Sequence, residues 1–144
     1  MKKSTIFLLV LVYIVSFIIV GLFGIQVRAH DQIIYVDSIT LRAVDEVNVH
    51  TVYDEENKIY KFWTYYPENE NRKVQFVTEV LPANATNRDV QVIFDSPNVR
   101  EVKVENEFID IYLNEGGIGT IDFSVVSTDG NNLTIDAKLT IRAR

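Results

Sequence analysis

Carboxylate side chains are the groups in this chain that could most readily carry out chemistry. Two carboxylates can act as general acid and general base when their surroundings separate their pKa values, and their oxygens can also bind calcium. No D-x-D-x-D-G loop is present, and Asp129-Gly130-Asn131 lacks the downstream bidentate glutamate of a calcium loop. The sequence therefore favours solvated loops and predicts no catalytic residue and no metal site. The clustered carboxylates are Asp54–Glu56, Glu68 with Glu70, and Glu105 with Glu107.

Other reaction chemistries lack the residues they need. The chain has no cysteine and only His30 and His50 as imidazoles, so thiolate, disulfide and histidine-zinc chemistry are disfavoured. Residues 30–144 hold 11 of the 14 basic residues and all 20 acidic residues, which gives this part a charge of −9. Nucleic acid needs a basic surface. We therefore expect no enzyme, no cofactor and no nucleic-acid partner.

A cluster of aromatic residues is the strongest candidate for contact with a partner. In a strand, Tyr60, Phe62 and Tyr66 would share one face, and Trp63 and Tyr65 the other. One set could pack in the core while the other offers a platform for a protein or a sugar ring. Cross-strand packing within the domain is the alternative explanation. The candidate contact residues are Tyr60, Trp63, Tyr65 and Tyr66.

An uncharged segment of 21 residues runs from Thr5 to Ile25. At about 1.5 Å per residue it is long enough to cross a hydrocarbon core of about 30 Å as a helix. Lys2 and Lys3 precede it, so the positive-inside rule predicts a cytoplasmic N-terminus and a signal anchor. The alternative is a cleaved signal peptide ending at Val27-Arg28-Ala29. Both interpretations predict that residues 30–144 are exported.

Residues 30–144 show short alternating apolar runs and no helical period. From Leu133 to Arg142 the odd-numbered residues are apolar through Ile141 and the even-numbered ones are polar or charged, which indicates a strand with one buried face. Asp129-Gly130 joins it to a strand over 119–127 as a tight antiparallel hairpin. Asn106 is expected to take a left-handed turn conformation. About seven to nine strands are predicted in all, within a β-sandwich.

The segment Leu81-Pro82-Ala83-Asn84-Ala85-Thr86-Asn87 resembles the proline–asparagine–threonine signature of bacterial group 2 immunoglobulin-like domains, which occur in intimin- and invasin-type surface proteins. Gly119-Thr120-Ile121 and Asp129-Gly130 are similar to its later strand entry and last hairpin. The similarity covers about residues 61–142, and the segment from about 45 to 60 looks inserted. It implies an immunoglobulin-like sandwich that binds other molecules.

Together these observations predict an all-β, immunoglobulin-like β-sandwich of about seven to nine strands, preceded by one transmembrane helix. Residues 1–29 would form the cytoplasmic tip and anchor, and residues 30–144 the extracytoplasmic domain, secreted if cleavage follows Ala29. The expected function is non-catalytic binding, first of a protein, with carbohydrate or cell-wall binding as the alternative. The expected partners are the membrane and an unknown extracytoplasmic protein or wall polymer.

Overall fold

The structure is a computed structural model that describes residues 3–30, 32–68 and 71–144. Lys2 and Glu70, which the sequence predictions used, lie outside the described residues. The chain divides into two compact units, Met1–Ile33 and Ile34–Arg144. The first contains a single described helix, α1, over Lys3–His30.

The transmembrane helix expected over Thr5–Ile25 is not supported by α1. Across the described residues, no helix is both long enough and apolar enough to cross a bilayer. The prediction of one transmembrane helix is therefore wrong.

Ile34–Arg144 forms a β-sandwich of two sheets, as the alternating sequence predicted. The four-stranded sheet has the order β1-β4-β7-β6, and the five-stranded sheet has the order β2-β3-β9-β8-β5. The nine described strands lie at the upper end of the expected number. They are β1 Ser38–Ala43, β2 His50–Asp54, β3 Ile59–Tyr65, β4 Lys73–Leu81, β5 Val90–Phe94, β6 Val99–Glu105, β7 Phe108–Leu113, β8 Gly119–Ser127 and β9 Thr134–Arg142.

The core lies between the two sheets and consists of the apolar face of each strand. Phe76 on β4 is fully buried and contacts Phe62 of β3 and Phe123 of β8, with ring centres 4.7 and 5.7 Å away. This aromatic contact joins the two sheets, because β4 belongs to one and β3 and β8 to the other. Among the described residues, every buried side-chain polar atom has a hydrogen-bond partner, as is usual for protein interiors.

Three turn residues of types that tolerate positive φ take the left-handed conformation. Asn106 has φ 56°, as expected, and joins β6 to β7. Gly130, with φ 94°, and Asn132, with φ 53°, lie in the β8–β9 turn. The predicted antiparallel pairing of β8 with β9 is confirmed. These positions need the left-handed region, which Gly and Asn reach at least cost.

The β8–β9 turn also holds the segment that precedes β1. The Asp129 carboxylate accepts hydrogen bonds from the Val36 amide at 2.5 Å, the Ser127 hydroxyl at 2.8 Å and the Asn131 amide at 3.1 Å. The bond from Val36 is the main reason why the pKa of Asp129 lies below its usual value. The Asn131 side-chain amide donates to the Val36 carbonyl at 3.2 Å. We call these contacts the Asp129 clasp.

Candidate functional site

The hairpin β2–β3 contains most of the segment that was predicted to be an insertion, and it supplies the two strands at one side of the five-stranded sheet. β2 pairs antiparallel with β3, and β3 pairs in parallel with β9. The turn between β2 and β3 is held by Asp54, whose carboxylate accepts from the Asn57 amide at 3.1 Å and from Lys61 Nζ at 2.6 Å. The Lys61 contact is the largest cause of a pKa of Asp54 far below its usual range. Asp54 therefore stabilises the turn as a carboxylate rather than exchanging protons near neutral pH.

The alternation along β3 separates the four candidate contact residues. Tyr60 points towards the core with Phe62, and its ring also lies 4.7 Å from that of Tyr53 on β2. Trp63 and Tyr65 point to the outer face, where Tyr65 is 46% exposed. The structure thus brings Trp63 and Tyr65 together, with ring centres 6.3 Å apart and nearly perpendicular planes. It places Tyr60 on the opposite face.

Trp63 has a neighbour from each strand that flanks β3. His50 on β2 stacks on the indole with ring centres 3.8 Å apart and an interplanar angle of 18°. Arg142 on β9 places its guanidinium carbon 4.7 Å from the centre of the Trp63 ring. Such stacking and cation–π contacts stabilise cross-strand packing. A sugar-binding platform needs an open ring face, so this geometry favours a packing role for Trp63.

Tyr66 follows the end of β3 and is also engaged within the domain. Its hydroxyl donates to the Asn114 carbonyl at 3.0 Å, and its amide donates to the Arg142 carbonyl at 2.8 Å. The ring is half-buried against the core. Of the four candidates, Tyr65 is therefore the one with both substantial exposure and no described hydrogen bond from its side chain. It is the most accessible of the four candidate contact residues.

A cleft of about 350 Å³ opens beside Tyr65. Its rim carries the exposed side chains of Val44 and Tyr65 and an ion pair between Glu68 and Arg144, whose Oε1 and Nη1 atoms lie 2.9 Å apart. The residues that line it are Val44, Asp45, Asn48, Val49, Thr64, Tyr65, Tyr66, Pro67, Glu68, Lys73, Val74, Gln75 and Arg144.

The turn between β1 and β2 forms one wall of this cleft. The Asp45 carboxylate accepts from the Asn48 backbone amide at 3.2 Å and from its side-chain amide at 2.8 Å. These bonds lower the pKa of Asp45, the side-chain bond most. The same turn carries Val47, which is 84% exposed and lies beside the cleft, next to the lining residue Asn48. We call Val44, Asp45, Val47, Tyr65 and Glu68 the cleft surface.

Val44 and Val47 were not among the candidate residues predicted from the sequence. They lie three positions apart among acidic and amide residues, in Val44-Asp45-Glu46-Val47-Asn48. A strand has a two-residue period and would not place both valines on one buried face, so this spacing was a signal of exposure. Within the described part of the chain, no three His, Cys, Asp or Glu side chains are grouped to hold a metal ion.

Comparisons with known proteins found no match to a protein-family model and none to a curated protein sequence.

Proposed function

We propose that this protein is a non-catalytic module that binds another protein through the cleft surface. The observation that carries the proposal is the exposure of Val44, Val47 and Tyr65 at 46%, 84% and 46% beside a cleft with a polar rim. Apolar groups rimmed by polar ones mark protein contact surfaces. Tyr60, Trp63 and Tyr66, by contrast, already have partners inside the domain, which supports a contact role for the cleft surface rather than for the whole aromatic cluster.

We further propose that Ile34–Arg144 is a bacterial immunoglobulin-like domain. In immunoglobulin domains of the constant type, strands A, B, E and D form one sheet in this order, and C, F and G form the other. Without the hairpin β2–β3, the seven remaining strands follow the same two orders, β1-β4-β7-β6 and β5-β8-β9. The hairpin is then an insertion between the first two strands. β2 lies within the segment from about 45 to 60 that looks inserted, whereas most of β3 lies within the similar region.

The residues of the family signature supply further support. The Thr86 hydroxyl accepts from the Ile34 amide at 2.9 Å. Asn87 donates through its side-chain amide to the Thr128 carbonyl at 3.2 Å and accepts from the Asp89 amide at 2.8 Å. Threonine and asparagine thus hold this loop through backbone contacts, as turn chemistry requires.

Recovery of partners with matched variants tests the binding proposal. Tagged wild-type chain, Val47→Asp and Tyr65→Ala are expressed in the native cells and recovered, with bound proteins identified by mass spectrometry. Ile118→Asp is the control, because Ile118 is 47% exposed and lies outside the cleft surface. We expect a stoichiometric partner with wild type and Ile118→Asp and its loss with the two cleft variants. Equal recovery with all four proteins would contradict the proposal.

Export of the binding domain is part of the proposal and follows from the N-terminal sequence. Basic residues, an apolar run and Val27-Arg28-Ala29 are the parts of a cleaved signal peptide. Mass spectrometry of the protein outside the cells is the test. A mature N-terminus at His30 would support export by cleavage, and recovery of the intact chain only from the cytoplasm would contradict it.

A further inference from the structure

The edge strand β5 differs from the other sheet edges in lacking charge. It ends the five-stranded sheet, and its residues Val90–Phe94 are Val-Gln-Val-Ile-Phe. By contrast, β6 at the edge of the other sheet alternates basic and acidic residues and has an irregular register between Val99 and Glu101. Charges and irregular pairing protect sheet edges against the addition of another strand. β5 has neither protection within its length.

The backbone of β5 presents hydrogen-bonding groups on its open side. Asp89, just before β5, accepts a hydrogen bond at its carbonyl from the Thr128 amide at 3.0 Å. In an antiparallel pair, hydrogen-bonded and non-hydrogen-bonded positions alternate. Gln91 and Ile93 therefore bond to β8, while Val90, Val92 and Phe94 direct their N–H and C=O groups towards the open edge. An added strand would find three donors and three acceptors there.

The side chains beside this edge combine apolar surface with negative charge. Ile93 and Phe94 are 56% and 38% exposed. They line a groove of about 460 Å³ together with three aspartates and one lysine. The lysine, Lys138, pairs with one of these aspartates at 3.3 Å, so the groove keeps an excess of two negative charges. The charged residues of the groove are Asp95, Asp122, Asp136 and Lys138.

A second copy of this chain fits the edge poorly. Asp89 and Asp95 bracket β5 at its two ends. An antiparallel pairing of two β5 strands centred on Val92 would place Asp89 of each copy opposite Asp95 of the other. Like charges directly opposite each other destabilise a strand pair. The same two aspartates would attract a strand with a cation at each end.

We propose that the β5 edge binds an extended segment of another protein by strand addition, and that this segment has alternating apolar residues flanked by lysine or arginine. Its backbone completes the hydrogen bonds of Val90, Val92 and Phe94, and its apolar side chains cover Ile93. Strand addition of this kind derives affinity from the backbone and specificity from the side chains. β5 lies three strand spacings, or about 14 Å, from β3, which carries Tyr65. The groove and the cleft share no lining residue, so the β5 edge is distinct from the cleft surface.

Peptide titration of the isotope-labelled full-length chain tests this proposal. The probe is acetyl-Lys-Val-Thr-Val-Thr-Val-Lys-amide, and its matched control has glutamate in place of both lysines. We expect the basic peptide to shift and protect the amides of Val90, Val92 and Phe94, and to bind at least about tenfold more tightly than the acidic one. The difference in affinity between the two peptides should shrink as the salt concentration rises from about 0.05 to 0.5 M, because salt screens exposed charges.

Two variants place the binding at β5. Ile93→Lys puts a cation on an exposed position. It should lower the affinity for the basic peptide about tenfold and leave the fold intact. Val92→Pro removes one N–H at the open edge and should weaken the binding of both peptides. The fold should persist, because proline is tolerated where the N–H of an edge strand faces solvent. Val47→Asp should leave peptide binding unchanged, which separates this proposal from the cleft surface.

Several results would overturn strand addition at β5. They are equal affinity for the two peptides, absence of binding at millimolar peptide, or amide shifts centred on β2 or β6. Wild-type affinity in the folded Ile93→Lys protein would do the same. If the protein associates with itself in the absence of peptide, and Ile93→Lys abolishes this association, the occupant of the β5 edge is a second copy of the chain instead.

Discussion

Replacement of Trp63 by alanine should weaken the fold without abolishing partner binding. The substitution removes the stack with His50, at 3.8 Å between ring centres, and the cation–π contact with Arg142, at 4.7 Å. An aromatic stack contributes about 1 kcal/mol beyond burial, and an exposed cation–π contact contributes about 0.5–1 kcal/mol. With the loss of half-buried ring area, we expect the free energy of unfolding to fall by about 2–3 kcal/mol.

The assay is urea and thermal unfolding followed by far-ultraviolet circular dichroism, because Trp63 is the only tryptophan of the chain and its loss removes the fluorescence signal. For a domain of about this size, 1 kcal/mol corresponds to about 4 °C, so Tm should fall by about 8–12 °C. His50→Ala should cost about 1 kcal/mol, and the double variant should cost less than the sum by about 1 kcal/mol. Tyr65→Ala is the matched control on the same strand face and should cost less than about 1 kcal/mol.

Two results would refute this reasoning. A Trp63→Ala protein whose free energy of unfolding lies within about 0.5 kcal/mol of wild type would show that the contacts of Trp63 with His50 and Arg142 contribute little, since such a difference is ordinary for surface substitutions. Loss of the partner with Trp63→Ala and its retention with Tyr65→Ala would reverse the roles assigned to the two residues and restore the indole as the contact residue.

Three further predictions concern the fold. Asn106→Ala should lower the free energy of unfolding by about 1–2 kcal/mol while Asn106→Gly stays close to wild type, because φ is 56° there; urea unfolding of both variants checks this. Phe76→Leu should destabilise by about 1–2 kcal/mol, less than the 3–5 kcal/mol of a phenylalanine-to-alanine change, because Phe76 is fully buried; a Tm equal to that of wild type would contradict it. The pKa of Asp129 is lower in the folded state than in the unfolded state, where it is near 3.9. The carboxylate therefore contributes its full stabilisation at pH values above about 3.9, and this contribution is lost as the pH falls through the folded pKa. The urea midpoint of Asp129→Asn should therefore lie below that of wild type at pH 7 and approach it in acid, and a constant gap across pH would contradict the clasp.

Local sequence chemistry accounts for the features of this fold that were predictable. Alternation identified the buried face of β9, and the tolerance of asparagine for positive φ identified the turn at Asn106. The parallel pairing of β3 with β9 was not predictable, because a side-chain pattern carries no information on the direction of the neighbouring strand. For the same reason the contact between Trp63 and Arg142, 79 positions apart in the chain, had no sequence signal.

The two-residue period was informative along β3. Tyr60 and Tyr66, which were grouped on one face, both pack against the core, although β3 itself ends at Tyr65. The apolar segment near the N-terminus shows a limit of reasoning from hydropathy. Its hydropathy and its 21 uncharged residues predicted a membrane span, whereas among the described residues no helix is both long enough and apolar enough to cross a bilayer.

The parallel pairing of β3 with β9 has a mechanical consequence. The two strands run in the same direction over seven registered residues, from Ile59 with Asp136 to Tyr65 with Arg142. When two parallel strands are drawn apart along their length, they slide past each other, and all the hydrogen bonds between them stretch at once. An antiparallel hairpin pulled at its two ends opens one bond at a time. Tension between the start of β3 and Arg144 would therefore load all the hydrogen bonds between β3 and β9 together, so this pairing would resist mechanical unfolding of the domain.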